Sequence, residues 1–327
     1  MKRSRLAVGV ARLLVGMLPW GMACAQDSDW PRQPIKIISP WPAGGVVELL
    51  SRTIGEPLSR ELGQPVIVES RAGAATNIGS ESVARAAPDG DTLLMAGSVN
   101  AVNMTLFPQL KYDIERDFAP IALVAYTPMV LLANPSVPTR NLAELVALAK
   151  TKPGELTIGL GGVAGPSHLA TASFERAASV QFLKVPYKGA APALVDIMGG
   201  QVQLLITNVA AAAAHVKAGK LKALAVSGKR RNPALPEVPT FIEQGMAGFD
   251  PSGWYGLVAP RQTPAPVVAK LVSVMSRVLA NRTVIERLSE RGVEVAAPGT
   301  PAQFASLISE EIERQRRNVM ENNIKLE

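Results

Sequence analysis

The sequence predicts an α/β fold made of two sheets flanking a cleft. Three observations carry that prediction. Short apolar runs alternate with amphipathic helical patterns from Ile35 to the end of the chain, the signature of sheets covered on both faces. The runs number about ten, which is many for one sheet and suits two of about five. The stretch from Pro264 to Glu327 is almost wholly helical and brings no sheet of its own. It must pack on something built earlier, so the chain returns to its first domain.

The expected strands are Ile35–Ser39, Val66–Glu69, Thr92–Ala96, Ile121–Ala125, Met129–Ala133, Leu156–Leu160, Phe182–Val185, Gln203–Thr207, Lys222–Ser227 and Trp254–Val258. Each is a β-branched or leucine-rich run bounded by Gly, Pro or Asn. The alternation with helices predicts that they pair in parallel. In the first long helix Val47, Leu50, Ile54, Leu58 and Leu62 line one apolar face. Pro57 lies inside it and is expected to kink it or end it early. Asn141 opens another helix as N-cap, with Glu144 able to reach back. Thr300 opens the last, followed by Pro301 at the first helical position. The Ala210–Ala214 run reads as the buried face of a short helix. The middle of the chain has its own strand-helix series. The domain reading is therefore residues 26–126 with 252–327 in one lobe and 127–251 in the other, and the cleft between them is the expected ligand site.

The 327 residues are 47% hydrophobic and 19% charged, a globular composition with ample core. The formal net charge of +7 by itself suggests nucleic acid, but Lys2, Arg3, Arg5 and Arg12 lie in the first 25 residues, which hold no acid. Without those four the remainder carries about +3. Aromatic residues are 5% of the chain and no basic run is interleaved with them, so nucleic-acid binding is not indicated. Residues 1–25 join a basic start, an apolar stretch and Ala23-Cys24-Ala25, which reads as a secretory signal cleaved after Ala25. Arg12 and Pro19 break the apolar stretch, against a membrane anchor. Gly21 stands where a lipoprotein signal needs a leucine-like residue. Cys24, the sole cysteine, thus leaves with the signal, and the mature chain has no disulfide, thiol catalysis or cysteine metal site.

Enzyme chemistry finds little support. The chain has two histidines, His168 and His215. Gly165-Pro166-Ser167-His168-Leu169 resembles a nucleophile elbow, but Leu169 occupies a position that needs glycine. Neighbours in sequence also rarely face each other as nucleophile and base. No close His/acid pairing suggests zinc. Gly228-Lys229 is followed by Arg230, and Ala223 replaces the first glycine of a phosphate loop. Gly159 to Ala164 matches the dinucleotide fingerprint, but the following strand ends in Lys184 and Val185 without the required acid. No metal or cofactor is expected.

What remains is three glycine-rich turns between a strand and a helix: Trp41–Val47, Arg71–Gly79 and Gly159–Ser167. A helix N-terminus leaves backbone donors unpaired and carries partial positive charge. Glycine lets an oxygen approach them, so such turns hold a carboxylate without an arginine clamp. A single turn of this kind is ordinary punctuation; three in one exported chain point to an anion-binding cleft.

Ordered stretches then add a resemblance. They include PIKIISPWPAGG, LGQPVIVESRAGAATNIG, AAPDGDTLLMA and DFAPIALVA. The second half adds KPGELTIG, SHLA, VPYKGAAPALVDIMGGQV, ALPEVPT and GWYGLVAP. On these the chain resembles the substrate-binding proteins of tripartite tricarboxylate transporters, the TctC or Bug family, over essentially its whole mature length. The resemblance implies a type II periplasmic-binding-protein fold, with two doubly wound lobes that close like a flytrap on a small carboxylate. It implies a monomeric periplasmic receptor serving the membrane subunits of such a transporter. The alternative partner is a sensor kinase, and an enzyme is a third, weaker reading. The family's two ligand loops correspond to Trp41, Ala43, Gly44, Gly45, Val46 and Val47, and to Gly73, Ala74, Ala75, Thr76 and Asn77. Ser98 and Asn103 follow the third strand. The opposing wall would come from Gly162, Ser167, His168, Lys188, Gly189 and Asn208.

One departure stands out. Family members usually follow the two glycines with a small residue, Thr or Ser, and Asp; here Val46, Val47 and Glu48 stand there. Ala75-Thr76 likewise replaces the more usual glycines. Two readings are open. Either the ligand is less polar than citrate, or Val46 and Val47 merely pack into the core while backbone amides do the binding.

Overall fold

The structure, a computed structural model, describes residues 30–162, 165–322 and 324. The signal predicted over residues 1–25 lies outside them. In chain order the elements are β1 (Ile35–Ser39), α1 (Val46–Leu62), β2 (Val66–Ser70), a short turn Ala74–Thr76, α2 (Asn77–Ala84), β3 (Thr92–Gly97) and α3 (Ser98–Leu106). Then come β4 (Phe118–Thr127), β5 (Met129–Ala133), α4 (Leu142–Thr151), β6 (Thr157–Leu160), α5 (Pro166–Ala178), β7 (Leu183–Pro186), α6 (Ala190–Met198), β8 (Leu204–Asn208), α7 (Val209–Lys217) and β9 (Lys222–Val226). The chain ends with β10 (Gly253–Pro260), α8 (Ala265–Ala280), α9 (Arg282–Ser289), β11 (Glu294–Val295) and α10 (Pro301–Glu321). Every predicted strand is present, and the two-residue β11 is the addition.

The strands form two sheets, ordered β11-β4-β10-β3-β1-β2 and β7-β6-β8-β5-β9. The expectation of parallel pairing needs correction. β1, β2 and β3 run parallel, as do β6, β7 and β8. β10 is antiparallel to β3 and β4, and β5 is antiparallel to β8 and β9. The reason is topological. β5 and β10 enter their sheets from the other lobe without a covering helix, so they start at the edge where the parallel strands end.

Register locates that edge. Thr127, which ends β4, pairs with Gly253, which begins β10. Met129, which begins β5, pairs with Asn208, which ends β8. Only Pro128 separates Thr127 from Met129, so the carboxyl edges of the two sheets face each other across this crossing. The Met129 N–H donates to Ser227 Oγ at 2.7 Å, and the Ser227 and Ser252 hydroxyls lie 2.7 Å apart, tying the two crossings together. The site belongs at such facing carboxyl edges.

Each sheet is packed on both faces. α1, α8 and α9 bury one face of the first sheet; Tyr112, Phe118, Trp254 and Phe304 fill the other. α4 and α5 cover one face of the second, α6 and α7 the opposite one. The five predicted residues of α1 are all buried, each contributing about 1.5–3 kcal/mol. Pro57 neither ends nor splits α1, which runs on to Leu62. It removes one helical N–H, the one that would have served the Thr53 carbonyl. The alanine run is only half as expected: Ala212 and Ala213 are buried, while Ala210, Ala211 and Ala214 are exposed. Asn141 and Thr300 cap their helices as predicted, accepting from the Glu144 and Gln303 amides.

The lobes also touch on both flanks of the crossing. Leu169 and Ala172 of α5 meet Val102 and Val319, and Ser173 Oγ donates to Asn318 at 3.0 Å. Arg176 pairs with Glu321. On the other flank Asn232 Nδ2 donates to the Gly292 carbonyl at 3.2 Å.

Candidate functional site

The parallel strands β1, β2, β3, β6, β7 and β8 lead into α1, α2, α3, α5, α6 and α7 respectively. None of these six helices has its first amides capped by its N-cap side chain. Of the four other helices, α4, α9 and α10 are capped by Asn141, Asn281 and Thr300, and only the proline-led α8 is not. A good cap adds about 0.5–2 kcal/mol. Four of the six N-caps are glycines, Gly45, Gly97, Gly165 and Gly189; at α1 and α3 a side chain from inside the helix reaches back instead, Glu48 to the Gly44 amide and Asn100 to the Gly97 amide.

The first loop holds Trp41 with its ring edge against Tyr255, centroids 5.2 Å apart, and its carbonyl accepts from Ser70 Oγ at 2.6 Å. Ala43, Gly44 and Gly45 are exposed. Gly44 takes φ +87°, a conformation natural to glycine. Its N–H already has a partner, donating to Glu48 Oε2 at 2.6 Å, while Arg52 Nε donates to Oε1 at 2.6 Å. The Gly44 amide, then Arg52, hold the Glu48 carboxyl below its ordinary pKa. Val47 is 2% exposed and sits in the lobe core, with Val46 packed against that core. The side chain of Val47 is therefore not available to a ligand, which leaves its main chain.

The second loop is unusual. Ala74, Ala75 and Thr76 all take left-handed φ, +45°, +51° and +80°. Such conformations cost about 1–2 kcal/mol each for residues other than glycine, so something must hold them. Asn103 Nδ2 donates to the Ala75 carbonyl at 2.6 Å and to Asn77 Oδ1 at 2.7 Å; the Tyr112 hydroxyl donates to Asn77 Oδ1 at 2.9 Å. Asn100 Nδ2 donates to Ser80 Oγ at 2.8 Å, and Ser80 Oγ donates to the Thr76 carbonyl at 3.0 Å. Burial pushes the Tyr112 phenol up in pKa, so it stays a neutral donor. Asn77 and Asn103, expected to meet the ligand, spend their side chains under the loop. Asn103 is 1% exposed. Their bonds hold the loop in shape together with those of Ser80, Asn100 and Tyr112, which the sequence reading missed. The available signal was Asn100 and Asn103 one helical turn apart.

Ser98 begins α3 and is half-buried. It lines a cavity of about 420 Å³ in the seam between α5 and α10, whose wall includes Pro166, Leu169, Asp250, Glu311 and Arg314. No other predicted site residue lines that cavity. It belongs to the inter-lobe contact rather than to the glycine turns.

On the opposing wall Gly162 and Gly189 take φ +125° and +117°. Ser167 Oγ donates to the Ile206 carbonyl at 2.6 Å, so its hydroxyl braces α5 on β8 and is not activated by His168. Burial, helped by nearby Lys184, depresses the His168 pKa and keeps the ring neutral. Lys188 is exposed and Asn208 half-buried. Asn208 is the N-cap of α7, yet its side chain does not cap. The Tyr187 hydroxyl donates to Asp196 at 2.7 Å; burial and that bond push its pKa up to about 12.

Tyr255 is the further candidate that sequence reading passed over. A Cβ at Gly97 would lie 2.8 Å from its ring and 3.0 Å from the Trp41 ring, so glycine there lets both aromatics settle beside the Ser98 turn. Burial raises the Tyr255 phenol pKa, so its hydroxyl stays a neutral donor, while the residue as a whole is half-buried beside the turn.

Comparison with known proteins agrees with this geometry. Residues 50–324 match the model of the tripartite tricarboxylate transporter family receptor, TctC. The solved periplasmic binding protein BugD is 32% identical, covers 90% of this chain and 99% of its own, and superposes with a TM-score of 0.78. A Rhodopseudomonas palustris protein solved with adipate is 31% identical, with coverage of 91% and 99% and a TM-score of 0.80. MatC from the same organism, solved with bound malate, is 33% identical, with coverage of 89% and 100% and a TM-score of 0.76. With two sheets meeting at facing carboxyl edges and a family match spanning most of its length, the chain belongs to the TctC family of tripartite tricarboxylate transporter receptors.

Proposed function

We propose that this protein is a periplasmic receptor for a small carboxylate, which it delivers to the membrane subunits of a tripartite tricarboxylate-type transporter. Residues 26–126 with 252–327, and residues 127–251, act as two bodies turning about the Thr127–Met129 and Ser227–Ser252 crossings. The acid is gripped by main-chain amides of the turns after β1, β2 and β3, with the turns after β6, β7 and β8 closing from the other side. A ligand touching both lobes stabilises the closed form relative to the open one, and the closed form is what the membrane partner receives. The single observation that supports this most is the set of six helix N-termini along the facing edges whose N-cap side chains do not cap them. The adipate and malate bound by two relatives support an acid as the guest.

Native mass spectrometry of gently purified protein tests the reading. The expected spectrum carries the added mass of a small organic acid, and acids of that class raise the melting temperature. Protein that carries no acid, and that no mono-, di- or tricarboxylate stabilises, would reject it.

A further inference from the structure

The cavity of about 420 Å³ in the seam between α5 and α10 has no part in the grip described above, and of the predicted site residues only Ser98 touches it. Its walls come from α3 and α10, which cover the first sheet, and from α5, which covers the second; residues 249–253 of the crossing also line it. Its volume falls among those of small-molecule sites, about 300–1,000 Å³. The lining divides by chemistry. Val99, Val102, Leu169 and Phe249 supply apolar surface, and Arg176, Arg314 and Arg317 supply cations. Two of these cations are already committed. Arg176 pairs with Glu321. Arg314 donates to Glu311 Oε2 at 2.5 Å and to the Asp250 carbonyl at 3.0 Å. Glu311 is 5% exposed and also accepts from Gln315 Nε2 at 2.7 Å, so its charge is answered inside the wall. The Asp250 carboxylate accepts from the Ser252 amide at 3.0 Å. Arg317 lies one helical turn beyond Arg314 and makes no ion pair or side-chain hydrogen bond among the described residues. A guanidinium is a rigid fork of five donors that matches a carboxylate, and here it stands unpaired beside apolar walls.

We propose that this seam is a second ligand site, for a small organic monoacid. The carboxylate meets Arg317, and the apolar body lies on Val99, Val102 and Leu169. A side-chain charge holds the acid here, whereas main-chain amides do so in the cleft, and the assignment does not depend on what the cleft binds. An inorganic oxyanion would answer Arg317 and leave the apolar wall facing water, which the apolar body of the monoacid displaces. The walls belong to helices on both sheets, so an occupant bridges the two beside the crossing.

The test is a methyl-resolved NMR titration of wild-type protein, Arg317→Gln and Ala177→Leu with benzoate, whose ring current marks the methyls it lies against. Ala177 is exposed on α5 and lines the cavity, so leucine there takes up space without entering the core. Arg317 is exposed as well, so its exchange leaves the packing alone. The expected result is that benzoate shifts the methyls of Val99, Val102 and Leu169 in the wild type. Arg317→Gln weakens that event about tenfold, the scale of one charge-assisted bond near water, and Ala177→Leu abolishes it. Any shift at Val46, in the first glycine turn, stays the same in all three proteins. Seam methyls that benzoate does not move overturn the assignment, whatever happens at Val46. So does seam binding equally strong in all three proteins. Inorganic phosphate that moves the same methyls at the same concentration overturns the monoacid as the class of ligand.

Discussion

Asn103 is the residue on which the shape of the second loop most depends, and Asn103→Ala tests that directly. The change removes two short donated bonds, 2.6 Å to the Ala75 carbonyl and 2.7 Å to Asn77 Oδ1, and a long one of 3.4 Å to Thr76 Oγ1. Asn77 Oδ1 keeps the Tyr112 hydroxyl at 2.9 Å, and the exposed Ala75 can offer its carbonyl to water. The loss is then the net worth of one or two hydrogen bonds, about 0.5–1.5 kcal/mol each. Three left-handed residues above it can relax and recover part of about 1–2 kcal/mol each. The expected loss is therefore about 0.5–2 kcal/mol by urea unfolding, with carboxylate affinity falling further than stability because the relaxed turn no longer aims its amides. Ala75→Gly is the companion. It relieves one left-handed alanine, worth about 1–2 kcal/mol, against about 0.4–1 kcal/mol of added unfolded-chain freedom. The net expectation is a small gain of about 0.5–1 kcal/mol. Asn103→Ala with unchanged stability and unchanged acid binding would refute the positioning role; Ala75→Gly that destabilises would refute the strain.

Two further outcomes follow from the same geometry. Tyr255→Phe removes a hydroxyl that has no partner among the described residues, so the unfolding midpoint should hold or rise while carboxylate affinity drops several-fold in titration; a variant less stable by 1 kcal/mol or more, on the scale of a lost hydrogen bond, with normal binding would contradict it. His168 has a folded pKa below its ordinary 6.5, so the unfolded chain binds the proton first and its contribution is complete above that value. As pH falls through 6.5 toward the folded pKa that stability is lost. Unfolding midpoints at about pH 7.5 and about pH 5 should therefore separate more in wild type than in His168→Gln, and equal separations would dismiss the effect.

The ten strands were legible because each is a local apolar run with its own boundaries, and the cleft was legible because glycine turns recur between strand and helix. Strand direction was not. Whether β10 runs with or against β3 depends on where the chain re-enters the sheet, and no local pattern records that. The roles of the asparagines were hidden for the same kind of reason. Asn77 meets Tyr112 across 35 residues and Asn103 across 26, so side chains that looked free for a ligand prove to be committed to a partner far along the chain.

Glu48 is the opposite case, since its partner Gly44 lies four residues away. An acid at the third helical position reaches back toward the helix start by local geometry alone, so the bond was available to a reader of the sequence. Weighing only what Val46, Val47 and Glu48 replace conceals it; asking which amide a longer acid can reach exposes it. The same reasoning places Val47. A helix whose next buried positions are Leu50 and Ile54 must turn Val47 inward with them, whereas Val46 is half-buried. Among the described residues the Trp41–Tyr255 pair is the aromatic contact at that loop. If the guest has an apolar body, its contact is with these rings, and titration of hexanoate against Trp41→Ala should show a loss that the shorter butyrate feels less. Equal losses for both acids would mean that Trp41 only props the loop.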